Sequence, residues 1–243
     1  MKQPPGPLTA YEIESAQFLP HVGVSCVIFG FHANTLRVLL MRWLQGDIWN
    51  LPGGMLFHDE SLDAAAHRVL EARTGLTGIF MRQFHAFGDA ERNADPAVQG
   101  VFAQMGVPER IRQLLSARIV AVGYYALVDY SKVNAVPDFP ADECHWMDVR
   151  EVPKLAFDHN NIVDHALQKL RKRLDDEPVG MNLLPEEFTM PELQRLHEAI
   201  LGRHLDRANF QKQMLASGLL ERVGKRQTGG AHKAPFLYRF RKG

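Results

Sequence analysis

Apolar residues recur along this chain with two different periods, and each change of period marks an element. "HVGVSCVIFGF" and "LRVLLMRW" are short apolar runs on either side of His32-Ala33-Asn34-Thr35, which predicts two strands joined by a turn. "FMRQFHAFGD" and "RIVAVGYYALV" predict two more, and "ECHWMDVREVP" another with an exit after it. Between the strands the spacing becomes helical. Leu62, Ala65, Ala66, Val69, Leu70 and Ala72 form one stripe, Ser61 is a good N-cap, Asp63 sits in the first turn and Gly75 sits where a helix stops. Residues 62–73 are therefore predicted helical. Ile162, Val163, Ala166, Leu167 and Leu170 repeat that spacing and predict a helix over 158–174. Residues 89–117 form an insert too long for a simple hairpin loop, and long loops are often functional. Within it, Pro108 and Glu109 open a short helix that runs to Leu115.

The last quarter of the chain has its own punctuation. "DDEPVGMNLLPEE" carries the acids, Pro and Gly of a linker. Thr189 and Glu192 then form a capping box, and Leu193, Leu196, Ile200 and Leu201 make one stripe that ends at Gly202. Asp206 caps a second helix, with Phe210 and Met214 inward, Ser217 on the same side and Gly218 at its end. Two strands follow around the loop "GKRQTGGAHKAP", with Phe236, Tyr238 and Phe240 alternating as in a half-buried strand. Two short helices and a hairpin in this order predict a winged helix-turn-helix. The expected domains are a flexible arm over 1–15, a first domain over 16–174, a linker over 175–182 and a winged helix over 183–243.

Composition adds one strong fact. The chain holds 28 basic and 28 acidic residues, so its net charge is zero. Ten of the basic residues but only two acids, Asp206 and Glu221, lie in 203–243, which makes that segment +8 and the rest −8. A basic tail on an acidic body points to an anionic partner. Its 46% hydrophobic and 23% charged residues are an ordinary globular mix. "MKQPPGPLTAYEIES" has no apolar h-region, and no apolar run is long enough to span a bilayer, so a cytoplasmic protein with no membrane association is expected. Cys26 and Cys144 both fall in strand-like segments and are expected to be reduced core thiols.

The stretch "GGMLFHDESLDAAAHRVLEARTGL" carries the chemistry. Gly54, Glu60, Arg68, Leu70, Gly75 and Leu76 stand in the spacing of the Nudix signature, preceded by "WNLPGG". The segment resembles that family, and the resemblance implies an α/β domain with a mixed sheet between helices over about 16–174. Family members cleave a nucleoside diphosphate linked to another group with Mg²⁺ or Mn²⁺, which needs several oxygen ligands. The three carboxylates they place at i, i+3 and i+4 are here Val69, Ala72 and Arg73. Glu71 survives, but roughly 200° around the helix from position 69 at 3.6 residues per turn. The fold is thus expected without the metal cage: no metal, no cofactor and no hydrolysis above background. Loss of three negative charges suits the cleft to holding a ligand intact. Its candidate lining residues are Arg42, Trp49, His58, Glu60, His85, Phe87 and Tyr125, with Trp49 the leading one beside the Pro-Gly-Gly loop.

In the winged helix, Asn209 and Gln213 are candidates for adenine, and Lys212 for guanine or phosphate. Arg207, at the helix start, suits backbone or base, and Lys225, Arg226, His232 and Lys233 offer cations from the hairpin loop. Together the two halves resemble the Nudix-related transcriptional regulators of the NrtR type. Besides the degenerate box, "LAFDHNNIV" (155–163), "FTMPELQRLHEAILG" (188–202) and "FLYRF" carry that resemblance. It implies a homodimeric repressor on a palindromic duplex, released by a small effector: a sugar such as arabinose or a nucleotide sugar such as ADP-ribose. A free sugar is slightly favoured, because a metal that would hold a diphosphate is lost. Two alternatives stand beside it. One is an active nucleoside diphosphate-sugar pyrophosphatase using Glu60, Glu71, Asp89 and Glu91; the other is a nucleic-acid-associated scaffold that senses nothing.

Overall fold

The structure, a computed structural model, describes residues 18–43, 47–93, 95–104, 106–137, 141, 143–174, 179–226 and 234–241. The expected N-terminal arm, most of the hairpin loop with His232 and Lys233, and half of the expected linker lie outside these residues.

β1 (Phe18–His32) and β2 (Thr35–Trp43) pair antiparallel through the turn at Ala33 and Asn34, both of which take positive φ. β3 (Ile48–Asn50) adds to β2, and β4 (Gly53–Phe57) adds to β1. β1 also runs parallel to β6 (Val120–Val128), which pairs with β5 (Met81–Phe87), while β7 (Glu143–Asp148) joins β2. The result is a seven-stranded mixed sheet with β1 at its centre. Gly53 is needed here: a Cβ on it would stand 2.7 Å from the Val24 carbonyl, so only glycine lets β4 close on β1.

Helices cover both faces. On one, α1 (Leu62–Thr74) buries Ala65, Ala66, Val69 and Leu70 against Cys26, Ile28 and Tyr124. It starts on a Ser61 side-chain cap and stops at Gly75 in the left-handed conformation, as its sequence predicts. On the other, α4 (His159–Arg173) buries Ile162, Val163, Ala166, Leu167 and Leu170 against Val27, Phe29, Val38 and Leu40. The insert holds two helices rather than one, α2 (Pro96–Gln104) and α3 (Glu109–Ser116). α2 packs Val98, Val101 and Phe102 on Trp43 and Ile48.

The winged helix comprises β8 (Phe188–Thr189), α5 (Met190–Leu201), α6 (Arg207–Ala216), β9 (Leu220–Lys225) and β10 (Phe236–Phe240). The Thr189–Glu192 capping box forms, and the Asp206 carboxylate accepts from the Asn209 amide. Phe210 and Met214 are buried as expected, but Ser217 and Phe236 are exposed. The two domains share a core, because Leu196 and Ile200 of α5 pack into the cluster that α4 makes with the sheet. The Arg171 Nε of α4 donates to the Ile200 carbonyl at 2.8 Å. Part of the expected linker, Val179–Asn182, is a 3-10 turn. Cys26 and Cys144 are both free thiols. No helix among the described residues is long and apolar enough to cross a membrane.

Candidate functional site

The Nudix loop and helix keep their frame through one ion pair. Arg68 donates from Nε and Nη2 to the Glu60 carboxylate at 3.0 and 2.6 Å, and from Nη2 to the Met55 carbonyl. Glu60 also accepts the Phe57 amide, and the Arg68 guanidinium lies over the Phe57 ring. Its bonds to Arg68 hold the Glu60 carboxyl below the usual carboxylate range despite partial burial. Glu60 thus braces the loop. Val69 is buried beneath Gly54, Ala72 is exposed and Arg73 half-buried. Glu71, Asp89 and Glu91 are exposed, and among the described residues no three His, Cys, Asp or Glu side chains group as a metal site.

Beside this frame opens a cavity of about 200 Å³, walled by β1, the β3–β4 turn, the insert and the start of α4. Its lining includes Ser25, Trp43, Asn50, Arg92, Phe157 and His159. None of the seven residues singled out from the sequence lines it. Strand alternation explains the two leading ones. Arg42 and Trp49 are directly paired across β2 and β3, so they share a face, and Trp43 and Asn50 take the opposite one. Arg42 is held by Asp47 and Glu143 and lies over the Trp49 ring, which in turn packs on His145. Phe87 and Tyr125 are buried in the α4 core, and His85 stacks on His165 of α4. His58 is exposed in the turn before α1.

The cavity is polar where it is most buried. The Trp43 indole Nε1 and the Asn50 Oδ1 are buried with no hydrogen-bond partner among the described residues. Buried polar groups are usually satisfied, so these two atoms stand out among the side chains around the cavity. Arg92, 7% exposed, pairs with Asp158 through Nε and Nη2 at 3.1 and 2.8 Å. Its Nη1 donates to the Asn93 side chain and the Ile119 carbonyl. His159 accepts the Leu51 amide at Nδ1, and burial pushes its pKa down to about 4, with Arg92 adding to the fall and Asp158 opposing it. It is therefore neutral at pH 7, carrying its proton on Nε2. The sequence signal for this wall was "LAFDHNNIV", which contains Phe157, Asp158 and His159. Arg92 and Asn93 lie in the insert and carry no periodic signal. A larger cavity of about 360 Å³ lies at the domain seam, lined by Thr35, Arg150, Arg195 and Arg203, away from the Nudix helix.

On the winged helix, Arg207, Asn209, Lys212 and Gln213 are all exposed along α6, whose buried side is Phe210 and Met214. Lys225 at the end of β9 lies over the Phe236 ring, as does Arg222. Arg226 departs from its expected part: its two terminal nitrogens bond the two oxygens of Glu192 at 2.8 and 2.9 Å. It ties the hairpin to the capping box of α5.

Residues 19–166 match the family model of the NUDIX domain, and residues 180–240 match that of the NrtR DNA-binding winged helix domain. A protein of Acinetobacter baylyi described as an ADPR responsive transcriptional repressor, NtrR, is 29% identical over 228 residues, which span 91% of this chain and 82% of the relative. Shewanella oneidensis NrtR, solved in complex with a 27mer DNA, is 26% identical with a TM-score of 0.69, covering 90% of this chain and 93% of that one. A MutT/nudix family protein from Enterococcus faecalis, at 22% identity and a TM-score of 0.67 over 98% and 94%, shares the fold.

Proposed function

Given that the chain belongs to the Nudix family and joins its Nudix domain to an NrtR DNA-binding winged helix domain, we propose that it is a transcriptional repressor released from DNA by a nucleotide sugar. ADP-ribose is the effector we favour, and the effector binds in the cavity beside the Nudix helix without being hydrolysed. The observation that carries this is α4. One helix begins at the cavity wall with His159 and meets α5 of the winged helix at Arg171, twelve residues and less than four turns later.

The missing metal favours a free sugar such as arabinose only if nothing else can hold a diphosphate. Arg92 can, because a guanidinium suits phosphate oxygens without any metal. The relative described as ADPR responsive supports the same choice. At about 200 Å³ the cavity is smaller than the roughly 300–1,000 Å³ of most small-molecule sites, so a nucleotide sugar fills it in part and extends beyond it. The acidic set of a hydrolase is replaced by Val69, Ala72 and Arg73, and Glu60 is engaged by Arg68, which disfavours the pyrophosphatase alternative.

The exposed α6 surface of Arg207, Asn209, Lys212 and Gln213 is the DNA-reading face, and a two-fold dimer places two copies of it on a palindrome. Selection of genomic fragments on the purified chain, followed by footprinting, tests this. A symmetric footprint that ADP-ribose erases and arabinose leaves in place is the expected result. Failure to retain any fragment above a scrambled duplex, or retention indifferent to ADP-ribose, sinks it.

A further inference from the structure

Asp158 occupies the N-cap position of α4, yet its side chain makes no cap hydrogen bond. An aspartate there normally accepts an amide from the first turn of its own helix. Here the carboxylate is taken instead by Arg92 of the insert, in a two-pronged pair with both side chains nearly buried. Its bonds to described residues use four of the five donors of a guanidinium, and the residue lines the cavity. The residue before Asp158, Phe157, also lines the cavity and holds φ at +58, a left-handed conformation that is costly for a bulky side chain. Insert, cavity and helix start are thus joined through one ion pair beside a strained residue.

We propose that Arg92 is the anchor for the effector's phosphate, and that Asp158 is the carboxylate the phosphate displaces. Two anions then compete for one guanidinium. When phosphate takes it, Asp158 is left without its partner at the head of α4 and turns onto the amides of Asn160 or Asn161, where a cap belongs. The change reaches the winged helix through the other end of the same helix, where Arg171 holds the Ile200 carbonyl and Leu167 and Leu170 pack with Leu196 and Ile200. An effector that prefers one of two arrangements of α4 shifts the population between them, which is all that release requires. This rests on the proposed repressor function and assigns its ligand anchor and its switch.

The test uses the full-length chain, the genomic duplex that the wild type retains, and two probes, ADP-ribose and adenosine. Arg92→Lys keeps the charge but loses the fork, so ADP-ribose affinity falls tenfold or more while adenosine affinity is unchanged. Asp158→Asn, nearly isosteric and still able to cap, relieves Arg92 of its competitor. ADP-ribose affinity then rises several-fold, and DNA affinity without effector falls toward the released value. Hydrogen exchange on the wild type supplies a readout that a merely structural pair would not give: the first-turn amides of α4 gain protection when ADP-ribose is added. Thermal melts show whether each variant is folded, and the exchange experiment needs no variant at all. If Arg92→Lys binds ADP-ribose as the wild type does, or first-turn protection is unmoved, this assignment is overturned while the repressor function stands. A wild-type chain that binds neither ADP-ribose nor DNA overturns both.

Discussion

Arg226 grips Glu192 with both terminal nitrogens, at 2.8 and 2.9 Å, and Glu192 also accepts the Thr189 amide that completes the cap of α5. The base of the hairpin is therefore fastened to the start of the first winged-helix helix. Arg226→Ala should lower thermal stability by roughly 1 kcal/mol, the scale of a cap or a partly exposed ion pair. It should leave the salt dependence of DNA binding alone. Lys225→Ala should do the reverse, reducing the slope of log K against log salt by roughly 0.9, one neutralised phosphate. Affinities measured across a salt series, beside melting curves, separate the two. An equal loss of slope in both variants would place Arg226 on phosphate after all.

Asn209 and Gln213 stand one helical turn apart on the exposed face of α6. Each can read adenine with two hydrogen bonds. Asn209→Ala and Gln213→Ala should lose on the order of 1–3 kcal/mol of discrimination between the operator and a single mismatch at the contacted base. Binding to unrelated duplex should barely change. Uniform weakening across all sequences would instead mark them as backbone contacts.

The fold was legible in the sequence because its punctuation is local. Ser61, Gly75, Thr189 with Glu192, and Asp206 each settle a helix end by a contact within a few residues, and each acts as its spacing predicts. The cavity wall was not legible, because it is assembled by long-range contact. Arg92 meets Asp158 across 66 residues, and Leu51 meets His159 across 108. The sequence pointed to this hairpin but to its other face: Arg42 and Trp49 sit one residue from Trp43 and Asn50, and a one-residue step in a strand crosses the sheet. Helix α2 is not legible in the sequence because its stripe, Val98, Val101 and Phe102, is short and packs on residues far away in the chain, among them Trp43, Ile48 and Ala156.

His159 gives the fold a defined response to acid. Burial lowers its folded-state pKa to about 4, against an ordinary value of 6.5. Between those values the unfolded chain holds a proton that the folded chain does not, so stability rises with pH across that window. The contribution is complete above about pH 6.5 and is lost as pH falls toward 4, on the order of 3 kcal/mol in all. His159→Asn can still accept the Leu51 amide but does not titrate. Urea unfolding at pH 5 and 7.5 should show a smaller pH difference for the variant, and equal differences would assign the acid response to other groups.

With Mg²⁺ or Mn²⁺ present, ADP-ribose should be turned over at no more than background rate. Val69 is buried in the α1 core, Arg73 repels a cation, and Glu60 already accepts two bonds from Arg68. Restoring carboxylates at 69, 72 and 73 together should confer some metal affinity without full activity. Turnover at the rate of ordinary family enzymes in the wild type would restore the pyrophosphatase reading.

Asn50 offers the sharpest separation of binding from stability. Its Oδ1 is buried at the cavity wall without a partner among the described residues, and a buried unsatisfied acceptor costs roughly 1–3 kcal/mol. Its Nδ2 is bonded to the neighbouring Leu51 carbonyl, so the side chain is held with that oxygen turned away from the backbone. Removing it should therefore act with opposite signs. Asn50→Ala should leave the ligand-free protein as stable as before or more so, because the cost of the orphan goes with it. The same change should weaken ADP-ribose about tenfold, the equivalent of one hydrogen bond of roughly 1.4 kcal/mol. Trp49, its chain neighbour, packs on the α4 core and His145 from the other face. Trp49→Ala should cost stability, up to roughly 3 kcal/mol for a half-buried aromatic, and leave effector affinity unchanged. Calorimetric titration and urea unfolding on both variants decide the matter. If Trp49→Ala abolishes ADP-ribose binding while Asn50→Ala is silent, the effector lies on the Arg42 face and the cavity beside the Nudix helix is not its site.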